Sequence, residues 1–235
     1  MPPSPAALAR HPHLAGARRP GWVRVDLHSH TMWSGDSTTT PEELVEAVVA
    51  TGIDVLCITD HNAIRGAEEL WSRLPCRVVV GEELRTHAGE VIGLFLSERI
   101  PFGVSPREAA ARIRAQGGLV YVPHPFDPMR RNLAEPALCE LADAGLLDAV
   151  EVLNAKTSLA HLNQRASDFA AERGIAAGAG SDAHVPDAIG AAYVEMPDFD
   201  GPASFLAALR DAVVVGHHFD APRQWRPRIV PSTPS

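Results

Sequence analysis

Short apolar runs alternate with amphipathic stretches along most of the chain, and this alternation predicts an α/β fold. Runs rich in apolar and β-branched residues predict strands at 22–27, 53–59, 76–81, 90–96, 118–122, 148–154, 175–180 and 191–196. Stretches with an apolar residue every three or four positions predict helices at 40–52, 67–74, 105–117, 136–145, 158–173 and 202–213. Strands that alternate with helices of this length form βα units, which favours a mainly parallel sheet.

The helix at 40–52 has clear start and stop signals. Thr40 is its predicted N-cap, Pro41 takes the first helical position and Glu43 closes a capping box. Gly52 ends it, as glycine commonly does at the C-terminus of a helix. The helix at 105–117 repeats the Ser-Pro-x-Glu start and the final glycine. These signals predict where both helices begin and end.

A single barrel-like domain spanning residues 22–220 accounts for this pattern. The 235 residues suit one α/β barrel, although a doubly wound open sheet has the same alternation and remains the alternative. Residues 1–21 are rich in proline, alanine and arginine, which predicts a flexible N-terminal tail. Residues 221–235 have a similar composition and are predicted to form a C-terminal tail.

The composition narrows the class of protein. Hydrophobic residues make up 46% of the chain, enough for a full core, and the formal net charge of −8 argues against a membrane-binding or nucleic-acid-binding surface built on bulk charge. A local cationic pocket for a phosphate remains compatible with this charge. The three cysteines, Cys57, Cys76 and Cys139, form no CxxC pair, and no apolar run approaches the ~18 residues of a membrane span. These features predict a cytoplasmic protein with reduced thiols.

Residues that can bind a metal ion follow the predicted strands. They lie in the motifs "DLHSH" (26–30), "ITDHN" (58–62), "GEEL" (81–84), "VPHP" (122–125), "EVLN" (151–154) and "GSDAH" (180–184). The carboxyl ends of parallel strands gather on one rim of an α/β barrel, where active sites lie. His28 and His30 are two residues apart, so both point the same way from an extended backbone. A set of nitrogen and oxygen ligands without thiolate predicts Zn²⁺, Mn²⁺ or Fe²⁺.

These motifs, together with "DLHSHTMWSGDSTTTPEEL" and "HPFD", resemble the PHP family (polymerase and histidinol phosphatase) over roughly residues 23–196. The resemblance implies a distorted (β/α)₇ barrel that holds two or three divalent metal ions. It also implies a hydrolase, a metal-dependent phosphoesterase acting on a small phosphorylated molecule, either a phosphomonoester or a nucleotide-type substrate. The reaction expected of such a protein is hydrolysis by a metal-bridging hydroxide.

The resemblance also assigns metal ligands. One ion would be held by His28, His30, Glu83 and Asp182, and another by Asp36, His61 and His184. The spacing from Gly81 favours Glu83 over Glu82 as the bridging carboxylate. A third ion would bind Glu83 and His124 with one more ligand. Relatives often carry a histidine at the position where this chain has Glu90, which can still ligate, and His87 is a weaker candidate.

Other residues are expected to support the reaction. His61 and His184 are assigned to the catalytic group, together with Asp60, which is expected to orient an imidazole rather than to bind metal. Candidates for substrate binding are Arg130, Arg131, Asn154 and Lys156, the last being the only lysine of the chain. Each of these side chains has a simple structural alternative, as surface charge or as a turn amide.

Two other functions remain open. Barrels with an H-x-H strand end also occur in metal-dependent amidohydrolases that cleave C–N bonds, often with a carbamylated lysine as the metal bridge. Lys156 does not lie in a metal-binding motif, and Glu83 already fills the bridging role. The last alternative is a non-catalytic metal-binding PHP module, although inactive versions usually lose ligands.

Overall fold

The computed structural model describes residues 2–220 and shows an α/β fold around a nearly closed, barrel-shaped sheet. The strands within this part of the chain are β1 (Trp22–Ser29), β2 (Val55–Ile58), β3 (Arg77–Thr86), β4 (Gly89–Leu94), β5 (Leu119–Val122), β6 (Ala149–Asn154), β7 (Ala176–Gly180), β8 (Ala192–Pro197) and β9 (Val213–Gly216). The helices there are α1 (Pro5–Arg10), α2 (Pro41–Thr51), α3 (Arg65–Leu70), α4 (Pro106–Ala115), α5 (Glu135–Asp143), α6 (Ala160–Arg173) and α7 (Pro202–Arg210). The predicted C-terminal tail, 221–235, lies outside the described residues.

The first seven strands curve into the barrel. The sheet order is β7-β6-β5-β4-β3-β2-β1-β8-β9, and the chain after β7 returns to β1. Ser29 and Ala183 form a bridge there, and the His30 amide donates to the Ala183 carbonyl oxygen over 2.9 Å. Strands β8 and β9 extend the sheet beyond β1. The distorted (β/α)₇ barrel expected from the sequence is confirmed.

The sheet is less parallel than the pattern predicts. The pairs β1–β2, β2–β3, β5–β6 and β6–β7 are parallel, whereas β4 runs antiparallel to both β3 and β5. Strands β3 and β4 are joined by a tight turn, and Gly89 at its end has a φ of 126°. A Cβ there would lie 2.3 Å from the Asn132 carbonyl oxygen, so only glycine fits. No helical pattern separates these two strands in the sequence, and a parallel pair would need such a crossover.

The start and stop signals predicted for the helix at 40–52 are confirmed. The Thr40 hydroxyl accepts a hydrogen bond from the Glu43 amide, and the Glu43 carboxylate accepts one from the Thr40 amide. Gly52 ends α2 in the left-handed conformation. The Ser105 hydroxyl accepts a hydrogen bond from the Glu108 amide over 3.1 Å, but the Glu108 carboxylate pairs with Arg112 instead of closing a capping box. Helix α4 ends at Ala115, two residues before the predicted stop at Gly117. Side chains of α4, α5 and α6 pack on one part of the barrel, those of α1, α2 and α3 on another, and α7 completes the core of the barrel interior.

The N-terminal residues pack on the barrel, although the sequence predicts a flexible tail. Ser4 caps α1, and Ala7 and Leu14 are buried. The buried Arg24 guanidinium donates to the carbonyl oxygens of Leu14 and Gly16 over 3.0 and 2.8 Å. These contacts join residues that are not adjacent in the sequence, so a local sequence pattern does not reveal them. The missed strand β9 lies at an edge of the sheet and is only four residues long.

Three histidines join this N-terminal segment to the end of β9. His11 Nδ1 lies 3.1 Å from His217 Nε2, and His11 Nε2 lies 2.9 Å from the Asp187 carbonyl oxygen. His13 Nε2 lies 2.9 Å from the Gly190 carbonyl oxygen. The pKa of His11 is lowered from 6.5 to about 4, mainly by burial and also by the neighbouring imidazoles, which together outweigh the opposite effect of the Asp187 carbonyl. His11 is therefore neutral near pH 7.

We expect the contact of His11 with His217 and the Asp187 carbonyl to weaken in acid. Between pH 6.5 and 4 the unfolded chain binds a proton at His11 that the folded protein excludes, so stability falls as the pH falls through this window. Arg10 and Arg24 also oppose a positive charge on this cluster. The neutral His11 contributes about 2 kcal/mol to the free energy of unfolding. This is less than the full linkage value because the histidine cluster borders solvent.

Urea unfolding of the wild type and His11→Gln at pH 7 and 4.5 tests this expectation. On acidification, the free energy of unfolding of the wild type should fall by about 2 kcal/mol more than that of the variant. The exposed His161→Gln is the matched control and should behave as the wild type does. Equal losses in the wild type and His11→Gln would show that His11 is not responsible.

In the described part of the chain, no helix combines the length and apolar character that crossing a membrane requires. The three cysteines are free, with Cys57 buried in the barrel core.

Candidate metal centre

The residues predicted to bind metal meet at one rim of the barrel. His28 and His30 lie at the end of β1, His61 follows β2, His124 follows β5, and the loop after β7 carries Asp182. His124 and Asp182 have positive φ values of 31° and 49°, which ordinary side chains rarely adopt. Backbone strain of this kind concentrates at functional sites.

One group brings together the first H-x-H pair and Asp182. His28 Nε2 lies 3.1 Å from His30 Nε2, and Asp182 Oδ1 lies 3.4 Å from His30 Nε2. Glu83 Oε2 lies 3.4 Å from His28 Nε2 and 3.2 Å from His30 Nε2. All four side chains are buried. These are the residues that the resemblance assigns to one ion.

A second group lies beside the first. Asp36 Oδ2 lies 3.3 Å from His61 Nε2 and 3.1 Å from His184 Nε2. His30 belongs to this group as well, and one ligand atom from each of the four side chains lies within 4.8 Å of the others. The geometry could therefore hold an ion between these side chains.

Glu83 links the third group to the other two. Its Oε1 lies 3.0 Å from His124 Nε2, and its Oε2 lies 3.1 Å from His61 Nδ1. Glu90 is close, with its carboxylate oxygens 3.8 Å from His61 Nδ1 and 3.9 Å from His124 Nε2. The ligand atoms of His61, Glu83 and Glu90 lie within 4.8 Å of one another. The exposed His87 lies on the turn between β3 and β4, outside the groups that could hold an ion.

The structure distinguishes the two adjacent glutamates. Glu83 faces the rim, whereas Glu82 faces away and accepts a hydrogen bond from the Ile100 amide over 2.8 Å. Side chains alternate along a strand, so only one of the two can join the cluster. Glu83 takes the central position that the spacing from Gly81 favours.

Opposite charges keep the central groups ionised. Burial alone would raise the pKa of Glu83, but the imidazoles of His28 and His61 outweigh it and hold the pKa well below its usual value. Burial would also raise the pKa of Asp182, yet Lys156 and His28 hold it well below the usual range. For His28, burial favours the neutral form, but nearby carboxylates raise its pKa well above 6.5.

The histidines at the edge of the cluster differ in the direction of their pKa shifts. Burial and the charge of His30 lower the pKa of His184 to about 4. Burial would lower the pKa of His61, but Glu83 and Asp36 raise it to about 9. The buried atoms Asp36 Oδ1 and Glu90 Oε1 have no hydrogen-bond partner within residues 2–220. Carboxylate oxygens left without donors beside convergent imidazoles fit divalent cations.

Glu151, on β6, contacts two of the predicted metal ligands, and sequence reasoning assigned it no role. Its Oε1 lies 3.1 Å from His28 Nδ1, and its Oε2 accepts hydrogen bonds from the His124 amide over 2.7 Å and from Asn154 Nδ2 over 2.9 Å. A Cβ on Gly180 would lie 2.3 Å from His28 Cβ and 2.7 Å from Glu151 Oε1, so glycine leaves room for this pair. The available signal was an acidic residue inside the apolar run "DAVEVLN".

Asp60 acts on the loop after β1 rather than on an imidazole. Its Oδ1 accepts a hydrogen bond from the Thr31 amide and its Oδ2 one from the Thr31 hydroxyl, both over 2.6 Å. It is fully buried. The expectation that Asp60 orients a neighbouring imidazole is therefore corrected: it holds the segment that directly follows His30.

A cavity of about 340 Å³ opens onto the cluster. It is lined by seven of the predicted ligands and by Arg85, Met129, Arg130 and Arg131. Arg130 and Arg131 thus lie where the sequence predicts. Arg85 was missed, although it follows Glu83 by two residues on β3 and therefore shares its face.

The other two predicted substrate-binding residues lie behind the cavity. Asn154 is fully buried, with its Nδ2 bonded to Glu151 and its Oδ1 accepting from the Lys156 and Thr157 amides. Lys156 is only 8% exposed. Neither side chain lines the cavity beside the three arginines, and their assignment to substrate binding stays a prediction.

Comparisons with known proteins agree with this arrangement. Residues 26–91 match the family model described as PHP domain, and residues 160–214 match the model described as PHP-associated. An uncharacterized protein of Methanocaldococcus jannaschii is 41% identical over 146 residues, which cover 57% of this chain and 82% of that protein. A second uncharacterized protein of the same organism is 36% identical over 197 residues, covering 80% of this chain and 79% of that protein.

A solved structure shares the fold. It is a two-domain protein from Bacteroides vulgatus, described as containing a predicted PHP-like metal-dependent phosphoesterase. It has a TM-score of 0.65 at 18% sequence identity and covers 86% of this chain and 70% of its own.

Proposed function

The chain belongs to the PHP family (polymerase and histidinol phosphatase), and from this premise we propose that it is a phosphoesterase acting on a small phosphorylated molecule. The observation that carries the proposal is the position of Glu83. Its two oxygens contact imidazoles of three metal-binding groups at the base of a cavity that also contains three arginines. That combination suits a substrate with a concentrated negative charge.

Divalent ions would be held by these groups. We assign one ion to His28, His30, Asp182 and Glu83, a second to Asp36, His61 and His184, and a third to Glu83, His124 and Glu90. Zn²⁺, Mn²⁺ and Fe²⁺ suit such nitrogen and oxygen donors. Bound ions would supply Lewis acidity, which polarises phosphoryl oxygens and activates water.

The protein's own cations would orient the substrate. Arg85, Arg130 and Arg131 line the cavity and present guanidinium groups that can each form paired hydrogen bonds with phosphoryl oxygens. The Arg130 guanidinium lies 3.4 Å from the Lys156 carbonyl oxygen. The neighbouring Asp127 accepts a hydrogen bond from the Thr157 hydroxyl over 2.8 Å. The arginine-bearing loop is thus attached to the loop after β6, which gives the guanidinium groups a defined place.

Amide hydrolysis and a non-catalytic role are less well supported. Lys156 Nζ contacts His184 and Asp182 from behind, whereas the central bridging position belongs to Glu83. A carbamylated lysine therefore has no place at the centre of the cluster. A module that only binds metal would have no need of three arginines at the mouth of the site.

Release of inorganic phosphate from a panel of phosphomonoesters tests the proposal. The panel includes histidinol phosphate and nucleoside bisphosphates, with protein loaded with Mn²⁺ or Zn²⁺. We expect release from at least one member of the panel and none after metal removal. Protein that holds its ions but releases no phosphate would move the proposal to C–N hydrolysis or to a binding role.

Arg85 provides a specific test of substrate recognition. Arg85→Met should raise KM by about tenfold with little change in kcat, because a charged hydrogen bond to the bound phosphate is lost. The matched control is Arg107→Met, which removes an exposed guanidinium paired with Glu140 and should leave both constants unchanged. An unchanged KM in Arg85→Met would remove Arg85 from the phosphate site.

A further inference from the structure

Lys156 stands out in both sequence and structure. It is the only lysine in a chain whose other twenty cationic residues are arginine. It is also buried, in the loop that follows β6. A buried charge is costly unless it is paired, so the groups that contact this ammonium indicate its role.

The ammonium lies directly behind two of the residues that we assign to metal. Lys156 Nζ is 2.9 Å from His184 Nδ1 and 3.5 Å from Asp182 Oδ1. Both partners face the cavity, which Lys156 itself does not line. The Lys156 ammonium therefore contacts these two side chains rather than the cavity that a substrate would occupy.

His184 has two exclusive hydrogen-bond states. Its Nδ1 lies 2.8 Å from the Asp182 carbonyl oxygen as well as beside Lys156, and its Nε2 lies 3.1 Å from Asp36 Oδ2. If Nε2 binds a metal ion, the ring proton is on Nδ1 and donates to the Asp182 carbonyl. If Lys156 donates to Nδ1, the proton is on Nε2 and donates to Asp36. An imidazole cannot satisfy both states together.

We propose that Lys156 is a positioning residue that competes with a divalent ion for His184, and so weakens the ion position formed by His30, Asp36, His61 and His184. This inference rests on the proposed function, since it assumes that the site binds metal. Coulomb repulsion between the ammonium and the ion acts in the same direction. Without that ion, the ammonium offsets the negative charge of Asp182. The centre then holds one exchangeable ion beside more tightly bound ones.

A calorimetric titration of metal-stripped protein with Mn²⁺ tests this inference. Lys156→Met removes the charge at similar length and should tighten the weakest Mn²⁺ site by about tenfold, the effect of losing one charged hydrogen bond. Lys156→Arg keeps the charge and should keep the binding weak. The melting temperature of metal-stripped Lys156→Met should fall below that of the wild type, and saturating Mn²⁺ should narrow the difference.

Arg107→Met is the matched control, because it removes an exposed cation that pairs with Glu140 and does not line the cavity. Its Mn²⁺ affinity should stay within twofold of the wild type. Unchanged or weaker Mn²⁺ binding in Lys156→Met would overturn the inference, as would a raised KM without any change in Mn²⁺ affinity. If Lys156→Met does not fold, Lys156→Gln takes its place with the same expected direction. Wild-type protein that binds Mn²⁺ but releases no phosphate would contradict the proposed function alone.

Discussion

Protein in which His28 is replaced by alanine should lose metal and hydrolysis together while it keeps its fold. His28 belongs to two of the groups that could hold an ion, and its Nε2 lies within 3.4 Å of both His30 Nε2 and Glu83 Oε2. Loss of this ligand removes several kcal/mol of transition-state stabilisation, so phosphate release should fall by about a thousandfold or more. Metal content, measured by atomic emission, should fall by at least one ion for each chain.

The fold should survive this change, because the His28 ring mainly contacts other polar groups of the rim. Asp182→Ala should have the same effect on metal and turnover, since Asp182 Oδ1 lies 3.8 Å from His28 Nε2 and 3.4 Å from His30 Nε2. His161→Ala, an exposed histidine on α6, is the control and should keep both properties. Full turnover in His28→Ala or Asp182→Ala would show that the metal assignment is wrong.

Much of the barrel was predictable because its signals are local. The apolar runs and the capping residues Thr40 and Ser105 define elements within a few residues of themselves. The rim position of the histidines followed from the rule that parallel strands share a carboxyl edge. The choice of Glu83 over Glu82 followed from spacing and from the alternation of side chains along β3.

The features that the sequence did not predict depend on contacts between parts of the chain that are not adjacent in sequence. The N-terminal segment is held by Arg24, ten positions after Leu14, and by His217, 206 positions after His11. Asn154 and Lys156 follow a strand as a substrate-binding residue would, yet they face the interior, and local pattern does not separate these orientations. Glu151 resembled an ordinary member of an apolar strand because its partner His28 is 123 positions away.

Because its partner His28 is so distant in the sequence, Glu151 has a set of contacts that no local sequence pattern predicts. It is fully buried and accepts from three donors on three segments: the His28 ring, the His124 amide and the Asn154 side chain. A ligating imidazole needs a partner on its other ring nitrogen to fix its orientation. Glu151 Oε1 supplies that partner for His28, and Oε2 accepts from the amide of His124, where the backbone is strained.

Glu151→Gln should therefore weaken metal binding by about 10- to 100-fold without removing any ligand. The amide keeps the size of the carboxylate, but its NH₂ group must face one of the donors that Glu151 accepts, either His28 Nδ1 or the His124 amide. Calorimetric Mn²⁺ titration measures the loss, and turnover at saturating Mn²⁺ should recover most of the activity, unlike in His28→Ala. The exposed Glu140→Gln is the control and should bind as the wild type does. Wild-type Mn²⁺ affinity in Glu151→Gln would mean that the orientation of His28 is set by β1 alone, and that the buried carboxylate serves only the fold.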